Sequence, residues 1–147
     1  MSDKINTGEH NVNVLHSLGY QRVKNTTIFK NGDEFILSPS VSKNVNGGYW
    51  FDLREVNLDK INENSLILVR IVPDLFIIEP IKSIYSLLPK QEMENRPNSG
   101  NVWGIGINFN EKFNRATLFN KGNKLNKTMV KVFGKLEINE VSKELIN

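Results

Sequence analysis

The 147-residue sequence contains no cysteine and only two histidines. Without cysteine, the chain cannot form disulfides, iron–sulfur clusters or zinc sites with thiolate ligands. The histidines, His10 and His16, would lie about 240° apart around a helix, so they cannot bind one metal ion from a shared helix face. The composition therefore argues against a zinc enzyme and against a nucleophile triad that depends on histidine.

The sequence also lacks an apolar run long enough to cross a bilayer. The longest run, residues 66–81, is interrupted by Arg70, Pro73 and two acidic residues. Residues 1–14 lack the basic start and following apolar core that a secretory signal peptide has. We therefore expect a cytoplasmic protein that does not associate with membranes.

The length and composition are those of one ordinary globular domain. Hydrophobic residues make up 39% of the chain and charged residues 24%, which is typical of a soluble folded protein. Segments with strand patterns outnumber those with helical patterns. We predict a single α+β domain over residues 1–147, with a curved, mainly antiparallel sheet of about six to eight strands and two or three short helices.

Local patterns place the main elements of this domain. A helix is predicted over residues 10–19, which Gly19 would end, and a closing helix over residues 137–146. The sheet is predicted to lie within residues 20–120, and the polar stretch 89–101 is predicted to be a surface loop.

Two further segments have specific signals. Asn31-Gly32-Asp33 separates two apolar runs, which predicts a β-hairpin with a tight turn. The segment IKSIYSLLP predicts a short helix that Pro89 ends. The residues predicted to share one face of that helix are Ile81, Ile84, Tyr85 and Leu88.

The segment YWFDLR, residues 49–54, is rich in strand-forming residues. Alternation along a strand places Tyr49, Phe51 and Leu53 on one face, which we predict faces the core. Trp50, Asp52 and Arg54 share the opposite face. Two interpretations remain open for that face: a binding surface, or a lateral Asp–Arg ion pair with the tryptophan covering a neighbouring element.

The segment VWGIGINF, residues 102–109, also alternates. Trp103 and three apolar residues share one face, and Gly104 and Gly106 lie on the other. Glycines along one face of a strand permit the close approach of a helix, of a bent neighbouring strand or of a ligand. Trp103 is nonetheless retained, with Trp50, as a candidate surface for stacking or for reading shape.

Residues 111–135 are strongly basic, with seven Lys or Arg residues against the single acid Glu111. Phe113, Phe119 and Phe133 are interleaved with these bases. Cations bind phosphates, and accessible aromatic rings stack on unpaired bases. The segment therefore predicts nucleic-acid binding, with DNA somewhat favoured over RNA. The alternative is a solvated sheet edge whose lysines discourage aggregation.

The candidate residues for nucleic-acid binding are of two kinds, cations and tryptophans. They are Lys112, Arg115, Lys121, Lys124, Lys127, Lys131, Arg54, Trp50 and Trp103.

A second hypothesis is a small metal-dependent nuclease, because several acids lie near predicted strand ends. Pro73-Asp74 resembles the first half of the restriction-endonuclease-like pattern, which is Pro-Asp followed by Asp/Glu-x-Lys on the next strand. Asp33 followed by Asp52-Leu53-Arg54 has a more plausible spacer, but arginine replaces the lysine. The candidate catalytic residues are Asp52, Asp33, Glu34 and Asp74.

This nuclease would need Mg²⁺, which two or more convergent carboxylates bind. No cofactor is otherwise predicted. A third hypothesis is a protein-interaction or inhibitor module that presents its tryptophan faces to a partner protein.

Overall fold

The computed structural model describes residues 15–16, 19–23, 26–45, 48–71 and 75–134. The predicted C-terminal helix lies outside these residues, as does most of the predicted N-terminal helix. Within the described residues, no helix is long and apolar enough to cross a membrane.

The first of two open sheets has five strands: β1 (Gln21–Arg22), β2 (Ile28–Asn31), β3 (Glu34–Leu37), β6 (Leu66–Ile71) and β7 (Leu75–Pro80). Their order in the sheet is β1-β2-β3-β6-β7. Neighbouring strands are antiparallel except β3 and β6, which are parallel.

The second sheet has six strands: β4 (Val41–Lys43), β5 (Tyr49–Arg54), β8 (Glu94–Arg96), β9 (Gly100–Phe109), β10 (Arg115–Asn120) and β11 (Asn123–Lys131). It is antiparallel throughout and has the order β11-β10-β9-β5-β4, with β8 also paired to β9. The prediction of a mainly antiparallel sheet structure with few helices is confirmed. The predicted strand number is too low, because strands of two or three residues such as β1, β4 and β8 are too short to show alternation.

The two sheets share one hydrophobic core. Its buried residues include Ile67 and Val69 from the first sheet and Phe51 and Ile105 from the second. A second cluster, which includes Leu68, covers the other face of the first sheet. Strand β6 is therefore buried on both faces, which explains why five of its six residues are apolar, with Arg70 the exception, and why polar and apolar residues do not alternate along it.

The predicted hairpin at Asn31-Gly32-Asp33 is confirmed. Asn31 pairs with Glu34, so Gly32 and Asp33 form a two-residue loop between β2 and β3. Gly32 has a φ of 62°, a left-handed conformation that glycine adopts without the steric penalty of a Cβ atom.

The segment predicted to be a helix with four residues on one face is a 3₁₀ helix, Ile81–Leu87. Ile81, Ile84 and Leu87 are its buried residues, whereas Tyr85 is 46% exposed. A 3₁₀ helix has three residues per turn, so the buried face follows a spacing of three and does not include Tyr85. The prediction that Tyr85 belongs to the buried face is therefore wrong.

The stretch 89–101 is not a loop throughout, which corrects a third prediction. It contains a 3₁₀ turn, Lys90–Glu92, and strand β8, which pairs with the start of β9. The Asn95 side chain also donates a hydrogen bond to that of Asn101 at 2.9 Å. Backbone pairing and polar side chains make this short hairpin, so no hydrophobic pattern marks it.

Candidate nucleic-acid interface

The outer face of the second sheet carries a row of residues that crosses four strands. Phe51 and Leu53 point into the core, so Trp50 between them points outward, as predicted. The strand register places Trp50 opposite Gly106, Gly106 opposite Phe119, and Phe119 opposite Lys127. Residues opposite one another on neighbouring strands point to the same face. Trp50, Phe119 and Lys127 therefore share one surface.

Gly106 gives the Phe119 ring its position. An ideal Cβ atom on Gly106 would lie 2.1 Å from Cζ of Phe119 and 2.5 Å from both Cε atoms. Real carbon atoms do not approach so closely, so the tip of the ring occupies the space that any side chain at position 106 would need. Gly106 therefore allows the close approach of the neighbouring strand β10, whose Phe119 side chain lies over the glycine.

Lys121 joins the basic segment to Trp50. An ideal Cβ atom on Gly104 would lie 3.2 Å from Cδ of Lys121, so the lysine stem passes over that glycine. The Lys121 ammonium nitrogen then lies 4.1 Å from the centroid of the Trp50 ring, a cation–π contact. The basic segment and Trp50 are therefore neighbours in the fold, although they are distant in the sequence.

These side chains line a groove with a volume of about 530 Å³. Trp50 and Phe119 contribute partly buried aromatic surface, and three exposed lysines contribute positive charge. None of the described residues that line the groove is acidic. The lining residues are Asn44, Gly48, Tyr49, Trp50, Gly106, Asn108, Thr117, Phe119, Lys121, Lys124 and Lys127.

Asn120 holds the hairpin that carries the three lysines. Its side chain is buried, donates a hydrogen bond to the Leu87 carbonyl at 2.8 Å and accepts one from the Gly122 amide at 2.7 Å. Asn126 likewise donates to the Ser86 carbonyl at 2.7 Å. Neither asparagine was among the predicted site residues. A polar residue at a core-facing position of an alternating strand was the signal available for Asn120.

Three further cations of the basic segment lie beyond the groove, whereas Lys135 lies outside the described residues. Arg115 pairs in register with Lys131, and both are exposed. Lys112 and Arg115 line a separate depression at the turn that precedes β10. These three residues extend the positive surface towards the other end of β10 from Lys121.

Trp103 does not belong to this surface, which corrects one predicted site residue. It is 4% exposed and lies in the core shared by the two sheets. Its indole nitrogen donates a hydrogen bond to the Pro89 carbonyl at 2.8 Å. A ring buried in this way cannot stack on a base.

Asp52 and Arg54 do not form the lateral ion pair that was considered for them. Asp52 pairs with Arg96 of β8, and the Asp52 side chain is 26% exposed. Arg54 donates through Nε to the Ser99 carbonyl at 3.0 Å. Arg54 lines a pocket beside the groove and not the groove itself.

The four acids of the nuclease hypothesis do not form one group in the described structure. Asp33 and Glu34 lie on the β2–β3 hairpin of the first sheet, where Glu34 accepts a hydrogen bond from the Tyr20 hydroxyl at 3.0 Å. Neither lines the pocket that contains Asp52. Asp74 lies outside the described residues. In the part of the chain that is described, no three His, Asp or Glu side chains come together to hold a metal ion.

No protein-family model, curated protein or solved structure matches this chain. The candidate function therefore depends on the chemistry of the groove itself.

Proposed function

We propose that the chain binds single-stranded nucleic acid in the groove between Trp50 and Phe119. The observation that carries this proposal is the shared surface of two outward aromatic rings and three exposed lysines. A positive groove with accessible aromatic rings is the arrangement by which proteins hold unpaired strands without reading their sequence.

The lysines supply the phosphate contacts. Lys121, Lys124 and Lys127 lie on one hairpin, and no described acid lines the groove with them. Binding a strand there would release condensed counterions, so affinity must fall steeply as salt rises. Arg115 and Lys131 extend the same charge along β10 and β11.

The aromatic rings supply the base contacts. In the free protein the Lys121 ammonium rests on the Trp50 ring. A base that stacks on that ring face displaces the ammonium, which then contacts a phosphate of the same strand. One cation contact is thereby exchanged for another, and the aromatic surface gains about 1–3 kcal/mol per stacked base.

An unpaired strand fits this geometry better than a duplex. In a duplex the faces of the bases are stacked on each other, so the Trp50 and Phe119 rings could reach only base edges or the backbone. Both rings belong to residues that line the groove, and an unpaired strand can present the face of a base to them.

Fluorescence anisotropy with labelled oligonucleotides tests the proposal. The probes are a 15-nucleotide oligo-dT, the matching oligo-rU, and a duplex of the same length. The test variant replaces Lys121, Lys124 and Lys127 with Gln. The control is Lys82→Gln. Lys82 is an exposed cation on the 3₁₀ helix, and it does not line the groove.

We expect the wild-type chain to bind both single strands more tightly than the duplex. Each lysine that contacts a phosphate contributes about 0.7 to the slope of log affinity against log salt, so the triple variant should lower that slope by about 2. The control should leave it unchanged. Binding that is insensitive to salt, or an unchanged slope in the triple variant, would overturn the proposal.

A further inference from the structure

A second pocket, with a volume of about 310 Å³, adjoins the basic groove at Trp50. Trp50 lines both spaces, so a strand in the groove could reach the pocket past this one residue. The pocket is polar and carries two arginines. Its lining residues are Arg22, Thr26, Thr27, Pro39, Ser40, Ser42, Trp50, Asp52, Arg54, Asn57 and Ser99.

Backbone carbonyls hold both arginines through Nε. Arg22 donates to the Thr26 carbonyl at 2.7 Å, and Arg54 donates to the Ser99 carbonyl at 3.0 Å. Within the described residues, each guanidinium makes no further hydrogen bond, so its two terminal nitrogens are available to a ligand. A guanidinium fixed in this way presents a pre-set pair of donors suited to phosphate oxygens.

The rest of the pocket adds donors and little negative charge. The hydroxyl groups of Ser40, Ser42 and Ser99 belong to residues that line the pocket, and each can donate to an anion. Asp52 is the one acid among the described lining residues, and its charge is offset by the ion pair with Arg96. The balance of charge at the pocket is therefore positive.

We propose that this pocket binds a phosphate monoester, the terminal phosphate of the strand whose neighbouring base stacks on Trp50. The assignment to a strand end rests on the proposed function. A terminal phosphate carries nearly two negative charges and three free oxygens, whereas an internal diester carries one charge and two free oxygens. Two arginines and several hydroxyls match the first better than the second.

Oligo-dT probes with a 5′-phosphate, a 3′-phosphate or hydroxyls at both ends test this inference. The variants are Arg54→Met and Arg22→Met, and Lys82→Met is the control for loss of one positive charge outside the pocket. Two arginine variants are used because each arginine also holds a backbone carbonyl, Arg22 that of Thr26 and Arg54 that of Ser99, so a loss that both variants share points to the pocket and not to one local contact.

We expect a phosphate at one end to tighten wild-type binding roughly tenfold or more, since charge-assisted hydrogen bonds are the strong ones. Each arginine variant should lose this preference, so that its Kd values for the phosphate-ended and hydroxyl-ended probes agree within twofold. The inference is wrong if neither phosphate changes Kd by more than twofold, or if both arginine variants keep the preference.

A second measurement separates the pocket from the groove. Thymidine monophosphate and inorganic phosphate are titrated while the side-chain Nε–H signals of Arg22 and Arg54 are followed by NMR. If the ligands shift the Arg54 signal in the wild type but not in the Arg22→Met variant, the pocket is a phosphate site. This conclusion holds even if no oligonucleotide binds and the proposed function fails. If neither phosphate ligand shifts these signals, the pocket is not a phosphate site, whatever the oligonucleotides do.

Discussion

Replacing Gly106 with alanine perturbs the groove at the point where the aromatic row depends on a missing side chain. The new Cβ atom would lie 2.1 Å from Cζ of Phe119, whereas carbon atoms in contact are about 3.5–4.0 Å apart. The ring must therefore move by about 1.5 Å or more. Because it is only partly buried, it can swing towards the groove, so we expect a stability cost of about 1 kcal/mol, at the low end for overpacking.

The effect on binding should be larger than the effect on folding. A displaced ring no longer presents its stacking face, so oligo-dT affinity should fall by up to the value of one stacked base, about 1–3 kcal/mol or roughly 5- to 150-fold. Gly104→Ala is the matched control, because its Cβ atom would meet the flexible Lys121 stem at 3.2 Å, which can move aside. We expect that control to change affinity less than twofold.

A double-mutant cycle decides whether the ring is the cause. In a chain that already carries Phe119→Ala, the Gly106→Ala change should cost almost nothing, because the clash has been removed. Anisotropy gives the affinities, and urea unfolding confirms that each variant is folded. If Gly106→Ala lowers affinity equally with and without the Phe119 ring, the clash with that ring is not the cause of the loss.

Two further predictions concern stability. Asn120→Ala leaves the Leu87 carbonyl and the Gly122 amide without their side-chain partner, so it should lower the free energy of unfolding by about 2–3 kcal/mol in urea and weaken oligonucleotide binding. The exposed Asn123→Ala change is the control, and an equal loss there would contradict the argument. Burial raises the pKa of the Glu79 carboxyl in the folded chain above its ordinary 4.5. Between the unfolded and the folded pKa the folded chain binds more protons than the unfolded chain, so the free energy of unfolding falls as pH rises through that range. Glu79→Gln should therefore be more stable than wild type at pH 7, and its free energy of unfolding should depend less on pH. A less stable variant with an unchanged pH dependence would contradict this prediction.

The longer elements of the fold could be predicted from the sequence because each has a local signal. The outward direction of Trp50 followed from alternation in residues 49–54, and the turn at Gly32 followed from its glycine. The same alternation placed Trp103 with the core residues of its strand. The prediction that Trp103 is also a surface residue conflicts with this pattern and is wrong, because the ring is buried in the core.

The parts that could not be predicted depend on contacts between distant segments. The 3₁₀ geometry of Ile81–Leu87 differs from an α-helix by a fraction of a residue per turn, which an apolar pattern of seven residues cannot resolve. The contact between Lys121 and Trp50 depends on strand register across β9, which local patterns do not fix. The pairing of Asp52 with Arg96 likewise depends on β8, a strand of three residues that are all polar or charged.

The most direct test of the account uses the indole N–H signals of the two tryptophans in a ¹H–¹⁵N NMR spectrum. Trp50 lines the groove, whereas Trp103 is buried and donates its indole hydrogen bond to Pro89. A Trp50→Phe variant assigns the two signals. When unlabelled oligo-dT is added, we predict that the Trp50 signal shifts in a saturable and salt-sensitive way while the Trp103 signal stays in place. A strand that binds without moving the Trp50 signal, or that moves only the Trp103 signal, would contradict the account.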